Sequence, residues 1–537
     1  MGMVERRPWT RRSVLGMMVA APAVVGIGGV AEAARRAYPT FDLKADFGAV
    51  GDGSHNDTGA FQAAAAALSS AENRGGTLVI PAGTYKVGGQ DKGGVPYYSP
   101  WEIFNAEGLE FLDIQGNGAT IRLASGLHYG AFDAQGRRIP LSSNESERAA
   151  IGAMIRLADC ANVTISDLTL DGNNGALVLG GGWANSEADA VNGIQAMATG
   201  IWLDRCTNVI VRDVRTHHHG LDGITILHRL RRPEARKPHL LERVTSDHNG
   251  RQGLSWIGGW GLTCRDCSFS HTGRQPHAGA PGGFVASKPG AGLDIEPNRG
   301  AAHEITREGR FENCEFVNNI GHGVEASNGD SLDNTFANCV FWAVSDTRWT
   351  TMGGAETGAG HAVYIAKPGV RFTDGTRFHG YFERVHGSAD PAAATAFTNC
   401  TIEDRLWTNG RVHRKEYLFY AQPTGVGVTW TNCWFNARAS RTVHITHDMR
   451  FVNCGFTHNR NDLANGTFQA LFENCRISGG KFLETDLVTK DYYIRLVANV
   501  VVAPGTRATT VEGLRIRWQT PVTGPIGTIT PGTYPQL

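Results

Sequence analysis

The chain has 537 residues with 51 basic and 51 acidic side chains, so nothing in its charge points to nucleic acid. At 41% hydrophobic it can bury a large core, yet no uninterrupted apolar run reaches the roughly 20 residues of a membrane span. Gly stands at 68 positions, well above the roughly 7% of ordinary globular chains, which calls for many tight turns.

In chain order, "TRRSVLG" followed by "MMVAAPAVVGIGGVAEA" reads as a targeting segment over residues 1–33. Arg11 and Arg12 directly before a short, weakly apolar stretch that ends in Ala31, Glu32 and Ala33 resemble a bacterial twin-arginine (Tat) export signal. Cleavage after Ala33 turns 51 basic and 51 acidic residues into 47 and 49, a net charge of −2. The expected location is periplasmic or secreted, with no membrane attachment after cleavage.

"NDTGAFQAAAAAL" predicts a helix opened by Asp57 or Thr58, with an Ala-rich body suited to capping the end of a stack. Together with "KADFGAVGDGSH" before it and "GGTLVIPAGTYKV" after it, this stretch resembles the start of the pectate-lyase-like β-helix proteins, the superfamily of polygalacturonases, rhamnogalacturonases, pectate lyases and several epimerases. The resemblance implies a carbohydrate-active enzyme and does not choose the reaction.

From about residue 200 a pattern repeats: "RFENCEF", "TFANCVF", "AFTNCTI", "TWTNCWF", "RFVNCGF" and "LFENCRI". Aligned on Cys, the column holds Cys267, Cys314, Cys339, Cys400, Cys433, Cys454 and Cys475, with Val214 and Val244 in the same place earlier. Two residues on stand Phe269, Phe316, Phe341, Ile402, Phe435, Phe456 and Ile477. That is the period of one strand face turned to a core, so the thiols are expected to pack as small hydrophobes. One Cys per coil lacks the close CxxC pairing of zinc modules. Spacings of 21 to 25 residues without helical periodicity indicate stacked coils. The expected fold is all-β: a single-stranded right-handed parallel β-helix with an N-terminal cap helix. The cap and first coils take 38–125, the β-helix 126–480, with 172–200 looping out of the stack, and a strand-rich tail 481–537.

The same register aligns a second strand in each coil: "GIWLD", "GITIL", "GLSWI", "GLDIE", "GVEAS" and "HAVYIA". Its outward column reads Trp202, Thr225, Ser255, Asp294, Glu325 and Tyr364, with Glu296 two residues beyond Asp294. Asp294 and Glu325 should therefore be neighbours about 4.8 Å apart, a spacing at which one carboxyl is pushed up in pKa and an acid and a base face one bond. The turns entering these strands add Asp222, Arg251, His322 and His361. The catalytic set is read as Asp294, Glu296, Glu325, His322, Arg251 and Asp222, with Asp294, Glu296 and Glu325 converging on one solvent-filled groove and Arg251 and His322 at its edge. Trp202, Tyr364, His361, Lys288, His218 and His248 are read as substrate-binding.

The order "LDG", "LDIE", "GHG" resembles that of polygalacturonases, without the adjacent Asp-Asp pair and with Lys367 at best replacing the family's Arg-Ile-Lys. Hydrolysis of a glycosidic bond is the first expectation, and β-elimination or uronate epimerisation the alternative, with Arg251 neutralising a substrate carboxylate and Lys288, His322 or Tyr364 as base. A noncatalytic glycan-binding β-helix is the third. The expected partner is a polysaccharide or oligosaccharide. No cofactor is required and no metal is assigned, although Asp294, Glu296, Asn298 and Glu325 form a hard-oxygen set that suits Ca²⁺. A separate strip of His218, His248, His271 and Asn318, flanked by His217 and His219, is read first as a stack serving the turns and second as a metal- or sugar-binding strip.

Overall fold

The computed structural model describes residues 38–518 apart from 229–237, 299–303, 328, 344–360, 404–416, 421–426, 437–440, 446–448, 464–468, 485–491, 498–500 and 503–513. The export segment lies outside these residues. Helix α1, Thr58–Leu68, closes the N-terminal end by burying Phe61, Ala64, Ala65 and Leu68. Its N-cap is Asp57, whose carboxylate serves the preceding loop instead of the helix, accepting from the backbone N–H of Val50 and Gly51.

Beyond the helix the chain winds into coils whose short strands pair in parallel with the same strand one coil away. One row runs through Phe104–Glu107, Gly152–Ala158, Ala198–Asp204, Asp222–Leu227, Gln252–Trp256, Ala291–Ile295, Val324–Ala326, His361–Ile365 and Tyr381–Arg384. A second includes His239–Glu242, Thr263–Arg265, Arg310–Glu312 and Thr335–Ala337, and a third Thr245–Asp247, Ser268–Ser270, Glu315–Val317 and Val340–Trp342. In the first row the inward positions Ile224, Leu254, Leu293, Val324 and Val363 are fully buried. Trp256, at the next inward position of its strand, is equally buried and belongs to the core. Phe316 stacks on Phe341 at 4.7 Å and Phe311 on Phe336 at 4.7 Å, so the interior is a set of continuous ring columns. Each buried ring contributes about 1.5–3 kcal/mol.

The seven repeat cysteines are buried and free of disulfides, as the spacing predicts. Their thiols point along the axis and donate to a carbonyl one coil back: Cys339 to Phe311, Cys400 to Phe372, Cys454 to Trp430 and Cys475 to Phe451. The residue before each Cys, Asp266 once and Asn in the other six, takes a left-handed turn, with φ between 50° and 56° from Asp266 to Asn474. Asn tolerates this conformation, and its amide bridges coils, as from Asn338 to Asn313 at 2.9 Å and from Asn432 to Asn399 at 3.0 Å.

One coil escapes the pattern. Arg371–Thr373 and Arg377–His379 lie between the coils of Cys339 and Cys400. Asp374 holds the left-handed position, Gly375 is an inserted residue at φ 87°, and Thr376 accepts from the backbone N–H of Cys339 through its hydroxyl. The insertion and the loss of Cys hide this coil from an alignment on Asn-Cys. Residues 172–197 leave the stack, three residues short of the expected bound because Ala198–Asp204 is a stack strand, and carry a short helix at Glu187–Ala190 and strands that pair with 128–131 and 141–142. Strands Tyr492–Val497, Val501–Val502 and Leu514–Trp518 pair in parallel with the coils before them, so the described part of 481–537 continues the stack.

Candidate active site

The outward column of the first row is in the register the sequence implies: Trp202 pairs with Thr225, Thr225 with Ser255, Ser255 with Asp294, Asp294 with Glu325, and Glu325 with Tyr364. Asp294 and Glu325 are thus direct neighbours on adjacent parallel strands, about 4.8 Å apart along the axis.

Around them the side chains form one connected polar cluster. Gln252 donates through Nε2 to Asp294 Oδ2 at 2.5 Å and to Glu296 Oε1 at 3.2 Å, and Ser255 donates to the same Glu296 oxygen at 2.8 Å. Arg251 donates to both oxygens of Asp222, at 2.9 and 2.6 Å, and stands 3.8 Å from Glu296. Thr225 donates to Asp222 as well. On the other side of Asp294, His322 lies between two carboxylates, with Nδ1 3.2 Å from Glu325 and Nε2 2.6 Å from Glu383. Ser327 donates to the second oxygen of Glu325, and the Tyr364 ring sits 5.4 Å from the His322 ring.

These partners set the charges. Burial pushes the Asp294 carboxyl well above the usual range, and the charges of Glu296 and Glu325 add to the shift. Burial also raises Glu296, against the pull of Arg251. Burial alone would lower His322, but its hydrogen bonds to Glu325 and Glu383 push it up to about 10, so it is an imidazolium at neutral pH. The cluster therefore sets Asp294, a carboxyl that burial biases toward its protonated form, beside Glu325, which the His322 cation holds.

Several expectations change at this level of detail. Asp294 is only 4% exposed, so it does not line a solvent-filled groove, and Asp222 is 0% exposed; Arg251, Glu296, Glu325 and His322 are the members that keep some exposure. The reason is that Gln252, Ser255 and Arg251 close over the carboxylates. Arg251 is held bidentately by Asp222 instead of standing ready for a substrate carboxylate. Asn298, grouped with the carboxylates as a Ca²⁺ donor, turns away and donates to Glu304. Trp202 lies on the same column but three coils from Asp294, roughly 14 Å along the axis. Lys288 precedes a cis proline, and its backbone N–H donates to Asn192. His361 opens its strand next to Tyr381, and its side chain lies outside the described residues. His218 and His248 sit in a different turn, stacked ring on ring at 4.9 Å, with His271 next at 4.9 Å.

Glu383 is the functional residue that sequence reasoning missed. Its strand, "GYFER", is the next copy of "GLDIE" and "GVEAS", but the pairing of His361–Ile365 with Tyr381–Arg384 shifts register, so a strict column places no carboxylate there. Gly380 before an apolar residue and a carboxylate was the available signal.

Parallel coils and outward chemistry define a right-handed parallel β-helix with a site on one sheet face. Residues 107–345 match the family model described as right handed beta helix region, in agreement with the stacked parallel coils. Two curated relatives are similar: the mannuronan C5-epimerase AlgE3 of Azotobacter vinelandii, 30% identical over 203 residues, and AlgE1 of the same organism, 31% identical over 198 residues. These matches take in 34% and 33% of this chain but only 9% and 12% of the relatives' lengths. Among solved structures, the A-module of the Azotobacter vinelandii mannuronan C-5 epimerase AlgE6 is similar over 87% of this chain and 100% of the module, at 17% identity and a TM-score of 0.40. An exopolygalacturonase from Thermotoga maritima is similar over 91% of this chain and 92% of its own, at 12% identity and a TM-score of 0.33.

Proposed function

We propose that the protein is a polysaccharide-active enzyme that cleaves a glycosidic bond by carboxylate-catalysed hydrolysis. The observation that carries this reading is the pairing of Asp294 with Glu325: two carboxyl groups in direct register, the first pushed up by burial and the second held by His322. Asp294 would protonate the leaving oxygen, and Glu325 would activate water or attack the sugar carbon. His322, held by Glu325 and Glu383, keeps the carboxylate oriented and its charge balanced. Hydrolysis by this pair needs no cofactor; Ca²⁺ would enter only with an acidic sugar.

A second reading is favoured by the two curated relatives, both named as mannuronan C5-epimerases. On a uronic acid the same cluster would exchange or eliminate the proton next to the sugar carboxylate, with Glu325 as base and Asp294 as acid. One experiment separates the readings. The full chain is incubated in D₂O with neutral and uronic-acid polysaccharides, mannuronan included, and reducing ends, unsaturated-uronide absorbance and C5 deuterium are followed together. Hydrolysis yields reducing ends alone, elimination adds the absorbance, and epimerisation yields deuterium in intact chains. No change on any glycan that the protein binds would replace both with a binding module.

The export reading carries its own test. Arg11→Lys combined with Arg12→Lys should leave the protein in the cytoplasm with its fold intact, and normal export of that variant would remove the Tat assignment.

A further inference from the structure

Outside the carboxylate cluster, the turn before strand Asp222–Leu227 gathers a second set of chemically competent groups. His217 ends its strand in register with Asp171 one coil back and Asp247 one coil on. His218 follows in the left-handed conformation, φ 56°. Adjacent residues of a strand point to opposite faces, but this bend turns the second ring back toward the first. As a result the two Nδ1 atoms lie 2.6 Å apart. Asp171 Oδ1 is 3.8 Å from His217 Nδ1, and one ligand atom from each of the three residues falls within 4.8 Å of the others.

We propose that Asp171, His217 and His218 form a binding site for a divalent transition-metal ion of borderline softness, of the Zn²⁺ type. Two imidazoles and one carboxylate suit such an ion and do not suit Ca²⁺ or Mg²⁺, which take oxygen alone. Two imidazoles on a tetrahedral ion, with bonds of about 2.05 Å, stand roughly 3.3 Å apart, so the rings need open only slightly. Without an ion the two Nδ1 atoms share a proton; with one, each ring carries its proton on Nε2, and none is lost.

The surroundings hold the ligands in place. Asp171 receives the Asn173 backbone N–H on Oδ1 at 2.9 Å and Arg122 on Oδ2 at 3.2 Å, which fixes the carboxylate with Oδ1 toward His217. Gln275 hydrogen-bonds the His218 ring from outside the cluster. Asp247 does not compete for the ion, since Arg215 and His248 occupy both of its oxygens. Asp171 and His218 are half-buried, which gives an ion a route in from solvent.

The test is titration of untagged full-length protein, stripped with chelator, with ZnCl₂ in a calorimeter. About one ion should bind per chain. His217→Ala and His218→Ala should each weaken binding about 100-fold or more, and Asp171→Asn about 10-fold or more. His271→Ala, which removes a ring of the same stack outside the cluster, should leave it unchanged. Absence of stoichiometric binding, or full affinity in His217→Ala, overturns the site and leaves the 2.6 Å contact as a hydrogen bond between rings. Should the alanine variants fail to fold, X-ray absorption of wild-type protein loaded with one equivalent of Zn²⁺ decides: two imidazoles in the first shell support the site, and fewer overturn it.

Discussion

The Asn-Cys corner and the sheet face carrying Asp294 are made by the same coils, yet their registers repeat different things. At the corner most coils return the same pair of residues, and each does the same job: a thiol on the carbonyl of the coil before, an amide on the amide of the coil before. On the sheet face the outward column changes type from coil to coil, through Trp202, Thr225, Ser255, Asp294, Glu325 and Tyr364, while the inward columns beside it stay apolar. A solenoid is stabilised by what each coil shares with its neighbours, so a position free to differ is where chemistry is found.

That contrast is open to direct attack. The largest effect should come from Asp294→Asn or Glu325→Gln, each lowering turnover about 10²–10⁴-fold on a substrate the parent converts, with circular dichroism unchanged. Near-parental rates in both would dissolve the distinction between face and corner. Phe341→Ala, in the ring column behind the corner, should cost about 3–5 kcal/mol in a urea melt while activity per folded molecule persists. Asn432→Ala should cost only about 1–2 kcal/mol, because Ala is strained at the left-handed φ of 53° and two inter-coil amide bonds go with the side chain. A loss of activity without loss of stability in either would place chemistry at the corner.

The smallest effect sharpens the comparison most. Asp294 titrates above its unfolded value of about 3.8, so the folded state keeps a proton that the unfolded chain releases. Stability then falls as pH rises from that value toward the folded pKa. Asn at 294 neither titrates nor loses the acceptor that Gln252 uses. The inactive Asp294→Asn protein should therefore be matched with the parent in urea midpoint near pH 3.5 and more stable than it at pH 7. Equal midpoints at pH 7 would mean that the carboxyl is ionised in the fold.

Period and register were legible in the sequence because they depend on which residues point inward. The Cys stack, the buried Trp256 and the adjacency of Asp294 and Glu325 all follow from the two-residue repeat. Side-chain conformations were not legible. Nothing in "NGRQG" says that Arg251 folds onto Asp222, or that Gln252 reaches across to Asp294. Nor does period alone survive an insertion: Gly375 hid a whole coil, and the register shifts within Tyr381–Arg384 hid Glu383.

Ten cysteines without a single disulfide also bear on how this chain must be handled. In the closed stack the hydrogen bond with the neighbouring thiol, and burial after it, push Cys267, Cys454 and Cys475 away from the thiolate form, and all ten sulfurs are buried. Once coils open, ten ordinary thiols are released onto one chain, and air oxidation can pair them in ways no coil can accommodate. Unfolding in the absence of a reductant should therefore be a one-way event, so the order in which folding and exposure to an oxidant occur decides whether the solenoid is ever recovered.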